Sequence, residues 1–142
     1  MSEQPWACMA GKWNVVRDEK FEEYLTDRDV NFILKKIVAN VKPTFDIAVD
    51  GDKVTVSMSL GPKTVGPNTF VVNGADLTEA EAMDVKMKVK TTWEDGKLKM
   101  DMVPAEEGKG KAQCVYREIV GEEMVMTMVS GDVVCKRYLQ KA

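Results

Sequence analysis

From about residue 44 to its end the chain alternates short runs with turn dipeptides, and this grammar limits the fold more than any other feature. The turns read "VDGDK", "VNGAD", "WEDGK", "EEGKGK", "IVGEE" and "VSGDV". Asp-Gly and Asn-Gly favour tight hairpins because both central residues tolerate positive φ. The runs between them keep a two-residue period. Val54, Val56 and Met58 share one face; Val85, Met87, Val89 and Trp93 share another, with Lys86, Lys88 and Lys90 opposite. Leu98, Met100 and Met102 form a third set, and Met124, Met126 and Met128 a fourth. Such alternation buries one face and wets the other, as in an antiparallel sheet. Successive hairpins at this spacing make a meander.

Residues 18–42 break the pattern. Asp18 is placed to cap a helix carrying Phe21, Tyr24 and Leu25, and a second helical stripe runs through Val30, Ile33, Leu34, Ile37, Val38 and Val41 until Pro43. The expected order is one strand over about 12–17, a helix pair, then roughly nine strands. A sheet that long curls or closes, which also removes its exposed edges. The expected fold is all-β: a closed or nearly closed antiparallel barrel with a helix pair over one end. No linker or repeat divides residues 1–142, so one domain is expected.

Composition narrows the function. The chain has no histidine, which removes the commonest general base and metal ligand and argues against an enzyme, a metal site or a cofactor. A formal net charge of -3 argues against nucleic acid as a partner. Cys8, Cys114 and Cys135 are too few and too scattered for a disulfide framework, so a cytoplasmic location is the expectation. The opening "MSEQPWACMAGKW" lacks the apolar core of a signal peptide.

The last run, "DVVCKRYL", contains the residue that points to a function. Strand parity sets Val133, Cys135, Arg137 and Leu139 on one face, so a guanidinium stands on the apolar side. In "CVYREIV", Val115, Arg117 and Ile119 do the same. A methionine strand separates the two, and counting from the turns sets both arginines near one level, about 10 Å apart across alternate strands. On the strands whose phase is legible no Asp or Glu joins the apolar stripe, although Glu79 and Asp84 lie near strand boundaries. Two arrangements fit. Each arginine tip reaches water at a strand end, or the pair faces a bound anion or ordered water inside the barrel. A carboxylate with a long apolar tail would suit both the planar forks and a pliable methionine wall.

These residues resemble those of the intracellular lipid-binding proteins, especially the fatty-acid-binding proteins. The resemblance rests on "GKWNVV", on "FEEYL" eight residues after the tryptophan, on the helix-pair spacing from Phe21 to Lys42-Pro43, and on "YREIVGEEMVMTMVSGDVVCKRYLQKA". It implies a ten-stranded up-and-down barrel (a calycin) capped by a helix-turn-helix between the first and second strands. It also implies a monomeric, non-enzymatic carrier of a long-chain fatty acid, with Arg117 and Arg137 holding the carboxylate. The family's tyrosine position falls on Leu139, and Tyr138 beside it faces outward by parity, so one head-group hydrogen bond is lost. Phe21, Val30, Leu34, Met126, Met128 and Leu139 are the candidate tail contacts.

Trp13 and Cys135 read as core. Lys35 and Lys36 read first as solvated, although the resemblance implies transient contact of the helix pair with anionic membranes. Two other classes share the barrel. A membrane-surface structural protein would need an excess of positive charge, and a secreted lipocalin-type carrier would not carry a helix pair after its first strand.

Overall fold

A computed structural model describes residues 4–27, 33, 36, 42–61, 63–75, 77–82, 85–106 and 111–142. Its strands are β1 (Gly11–Glu19), β2 (Thr44–Asp50), β3 (Lys53–Leu60), β4 (Lys63–Val71) and β5 (Thr78–Ala82). They continue as β6 (Val85–Glu94), β7 (Lys97–Pro104), β8 (Gln113–Val120), β9 (Glu123–Ser130) and β10 (Val133–Lys141). One helix, α1 (Phe21–Asp27), follows β1. The expected second helix lies outside the described residues, apart from Ile33 and Lys36, which are helical and exposed.

All ten strands form one antiparallel sheet in the order β4-β3-β2-β1-β10-β9-β8-β7-β6-β5. Each strand therefore pairs with the next in sequence except β4 with β5, which are the sheet's edges, and the first also pairs with the last. Among the described residues a single isolated parallel bridge joins Val72, just beyond edge strand β4, to Thr91 of β6, so the barrel is nearly closed. One of the turns shows the expected geometry at both central residues. At "WEDGK", Asp95 and Gly96 take φ of 52° and 76°, which lets a short turn follow the twist of its strands.

The alternating residues fill the interior. Val54, Met87, Val89, Leu98, Met100, Met124 and Leu139 are buried, with Met126 and Met128 beside them. A short 3-10 helix, Pro5–Met9, precedes β1 and was not legible in the sequence pattern. It buries Trp6 and Met9. The Trp13 indole donates to the Met9 carbonyl at 2.9 Å, and the Trp6 indole donates to the Gly51 carbonyl at 2.9 Å. Trp13 is thus core, as expected.

Two irregularities bend the ladder. In β3 the register slips between Val56 and Met58. There, a Cβ on Gly66 of β4 would stand 2.9 Å from the Val56 carbonyl oxygen, so the backbones approach where only glycine fits. In β1 the register slips between Val15 and Arg17: Val15 opposes Leu139, but Arg17 opposes Tyr138. Val16 is the extra residue of a β-bulge, and a bulge reverses the facing of every side chain after it. Beyond it, Arg17 turns outward, where it binds Glu123 at 2.7 Å and stacks 4.1 Å above the Tyr138 ring. Tyr138 therefore faces outward, as parity predicts.

The two faces of β10 should differ sharply in a mutation test. Leu139 is fully buried and Val134 is 44% exposed. Leu139→Ala is expected to cost about 2–5 kcal/mol in urea unfolding, and Val134→Ala about 0.5 kcal/mol or less.

Candidate ligand-binding site

The strand ladders carry both inward arginines to one level. Arg137 of β10 and Arg117 of β8 each oppose Met126 of β9. The same rung continues through Leu98 of β7 to Trp93 of β6. On its other side, Arg137 opposes Asp18 of β1. Arg117 and Arg137 are only 5% and 4% exposed, so neither tip reaches water at a strand end.

The two charges are compensated unequally. Arg137 Nε donates to Asp18 Oδ1 at 2.6 Å, and its guanidinium carbon lies 3.9 Å from the centre of the Phe21 ring. Asp18 Oδ2 also lies 3.6 Å from Lys42 Nζ. An internal acid is therefore present, which corrects the sequence reading on two counts. Asp18 belongs to β1 rather than capping α1, and the Val16 bulge turns it onto the inner face. Unbroken parity from Trp13 and Val15 puts Arg17 inside and Asp18 outside. The one local sign is the adjacent apolar pair Val15-Val16, which an alternating strand should not contain. A surface pocket of about 270 Å³ lined by Asp18, Lys20, Phe21, Glu22 and Glu23 opens beside this ion pair.

Arg117 has no acidic partner among the described residues. Its Nη1 donates to the Met100 sulfur at 3.5 Å, and its guanidinium carbon sits 5.7 Å from the Phe45 ring centre. Sulfur and an aromatic face are weak replacements for water around a cation. Burial pulls the Arg117 pKa down to about 10, so the group keeps its proton at neutral pH. A cation whose pKa falls on folding destabilises the fold at pH 7, and that cost fades only as pH rises past about 10.

The other candidates divide by position. Leu139 is buried two residues from Arg137 and opposes Val15 and Met124. Met126 lies on the arginine rung; Met128, on the next, opposes Val115 and Cys135. Phe21, at the start of α1, is brought to Arg137. Val30, Leu34 and Lys35 lie outside the described residues, as does Asp84. Cys135 is fully buried, and burial pushes its thiol up to about 12, so it is a small apolar filler. Thr91 went unnoticed in the sequence: it is 3% exposed on β6, and its hydroxyl has no hydrogen-bond partner within the described structure.

Comparison with known proteins places this geometry. The sequence model of the lipocalin / cytosolic fatty-acid binding protein family matches residues 10–142. The chain belongs to that family. Human fatty acid-binding protein 9 is 30% identical over 131 residues, covering 92% of this chain and 95% of that protein. The cellular retinoic acid-binding protein 1 of Pelodiscus sinensis is 32% identical over 130 residues, covering 90% and 93%. The solved Schistosoma mansoni fatty acid binding protein in complex with arachidonic acid superposes with a TM-score of 0.85 at 22% identity, covering 98% of this chain and 99% of that one. The fold of the family is therefore the fold described above, ten antiparallel strands with a helix after the first.

In this member of the lipocalin / cytosolic fatty-acid binding protein family, Arg117 should cost stability. Replacing it with an apolar side chain of similar length removes a desolvated charge. Arg117→Met is expected to raise stability in urea or thermal unfolding by about 1–4 kcal/mol. A lower midpoint would mean that the guanidinium is better compensated than its neighbours indicate.

Proposed function

We propose that the protein is a non-enzymatic carrier of a long-chain fatty acid, or of a hydrophobic carboxylate of similar size, held inside the barrel. The carboxylate is received at the rung of Arg117 and Arg137, and the tail lies against Phe21, Met126, Met128 and Leu139, with Val30 and Leu34 as further contacts. One observation carries this reading: Arg117 is desolvated on the inner face with no acid beside it among the described residues. A buried cation of that kind is retained where an anion is to be bound. The names of the relatives support it, because fatty acids, retinoic acid and arachidonic acid are all apolar chains ending in a carboxylate.

The wall suits such a tail. Methionine is unbranched and polarisable, so the Met100, Met124, Met126 and Met128 group can repack around chains of different shape. The role is solubilisation and transfer by a cytoplasmic monomer, with transient membrane contact at α1 and the segment that follows it during delivery.

A displacement titration tests the proposal. Delipidated protein is loaded with a fluorescent fatty acid and competed with oleate and with retinol. Oleate is expected to displace the probe at lower concentration than retinol, and Arg117→Gln to weaken oleate by about tenfold or more. Failure of the probe to bind, or equal displacement by acid and alcohol, would overturn the carrier reading.

A further inference from the structure

Two adjacent rungs of the barrel divide the polar groups in a way that the arginine pair alone does not show. The first rung reads Trp93, Leu98, Arg117, Met126, Arg137 and Asp18. The second reads Thr91, Met100, Val115, Met128 and Cys135. Arg117 leans from the first onto the second, because its Nη1 donates to the sulfur of Met100. Met100 is the direct cross-strand partner of Thr91. The uncompensated Arg117 guanidinium and the buried Thr91 hydroxyl, unpartnered among the described residues, thus flank a single methionine. Arg137 stands on the opposite side of Met126, with Asp18 on its Nε.

We infer that Asp18 determines head-group specificity: by holding Arg137 it restricts the site to a monoanionic carboxylate, seated between the Arg117 guanidinium and the Thr91 hydroxyl. This rests on the carrier reading above and assigns roles within it. Two guanidinium charges and one carboxylate leave a single net positive charge on the interior rung. Lys42 adds little to that balance, because its side chain is 52% exposed and water screens it. A monoanion neutralises the rung. A dianion would leave a buried negative charge without a partner, which a low-dielectric interior penalises heavily. Thr91 supplies what Leu139 lacks, a hydroxyl donor for the second carboxylate oxygen, but from the β6 side of the barrel. The methionine between them is the pliable element: its sulfur releases Arg117 when a stronger acceptor arrives.

The test compares palmitate with hexadecyl phosphate, which share a chain length but differ in head-group charge at about pH 8, where the phosphate monoester is a dianion. Affinities are measured by calorimetry on delipidated wild type, Asp18→Asn, Asp18→Ser and Thr91→Val. Wild type is expected to prefer palmitate. Both Asp18 variants free Arg137 and should shift the preference toward the phosphate by about tenfold or more. Thr91→Val should weaken palmitate by about threefold to tenfold. Its thermal midpoint without ligand should not fall, since the hydroxyl has no hydrogen-bond partner among the described residues. Palmitate binding with an unchanged preference in both Asp18 variants would overturn the role of Asp18. Palmitate affinity unchanged in Thr91→Val would overturn the placement of the head group. No palmitate binding by wild type would instead overturn the carrier reading on which both depend.

Discussion

Pairing of the first strand with the last holds this barrel together. β1 and β10 run antiparallel from the Trp13–Lys141 pair to the Glu19–Lys136 pair, so the two ends of the chain close the sheet on one side. Closure there leaves only β4 and β5 as edges, and the Val72–Thr91 bridge narrows that gap. The same ladder sets the interior charges. Its bulge at Val16 exchanges which of two neighbouring charged residues faces in, and the acid is the one turned inward. Had the ladder run without the bulge, parity would place a third cation, Arg17, inside the barrel. With it, the inward cation of β10 finds an anion, and Arg17 leaves to pair with Glu123 on the surface.

The interior then carries a graded set of charges. Arg137 is bonded to a carboxylate and stacked on an aromatic ring, two interactions that offset much of its desolvation. Arg117 has a thioether and a distant ring. A core optimised for stability alone would place an apolar side chain there, as it does at Leu98 and Met126 on the same rung. Burial of one unsatisfied charge and one unsatisfied hydroxyl in neighbouring rungs is the kind of local cost that functional sites retain.

Much of this was legible because a sheet reports its two faces through a two-residue period. The hairpins, the strand count, the inward arginines, the outward Tyr138 and the core roles of Trp13 and Cys135 all follow from parity and turn chemistry. The common level of Arg117 and Arg137 follows from counting along two hairpins joined by tight turns, where no residue can be lost. Besides the buried Thr91, two features escaped. The 3-10 helix at Pro5–Met9 is too short to show a period. The partner of Arg137 was hidden because one extra residue in β1 inverts the count; the Val15-Val16 pair hints at it, and the register against β10 settles it.

The amino-acid sequence by itself determined a nearly closed antiparallel barrel with a methionine-lined interior and two inward guanidinium groups. Those properties are local: they depend on alternation within a strand and on φ at a turn. Only the tertiary structure decided which guanidinium keeps an uncompensated charge, and it placed Thr91 across from Met100, whose sulfur Arg117 binds. Asp18 and Arg137 are 119 positions apart in the chain, and Thr91 reaches the Arg117 neighbourhood through β7. Electrostatic compensation is a matter of distance and burial, and both are properties of strands once paired.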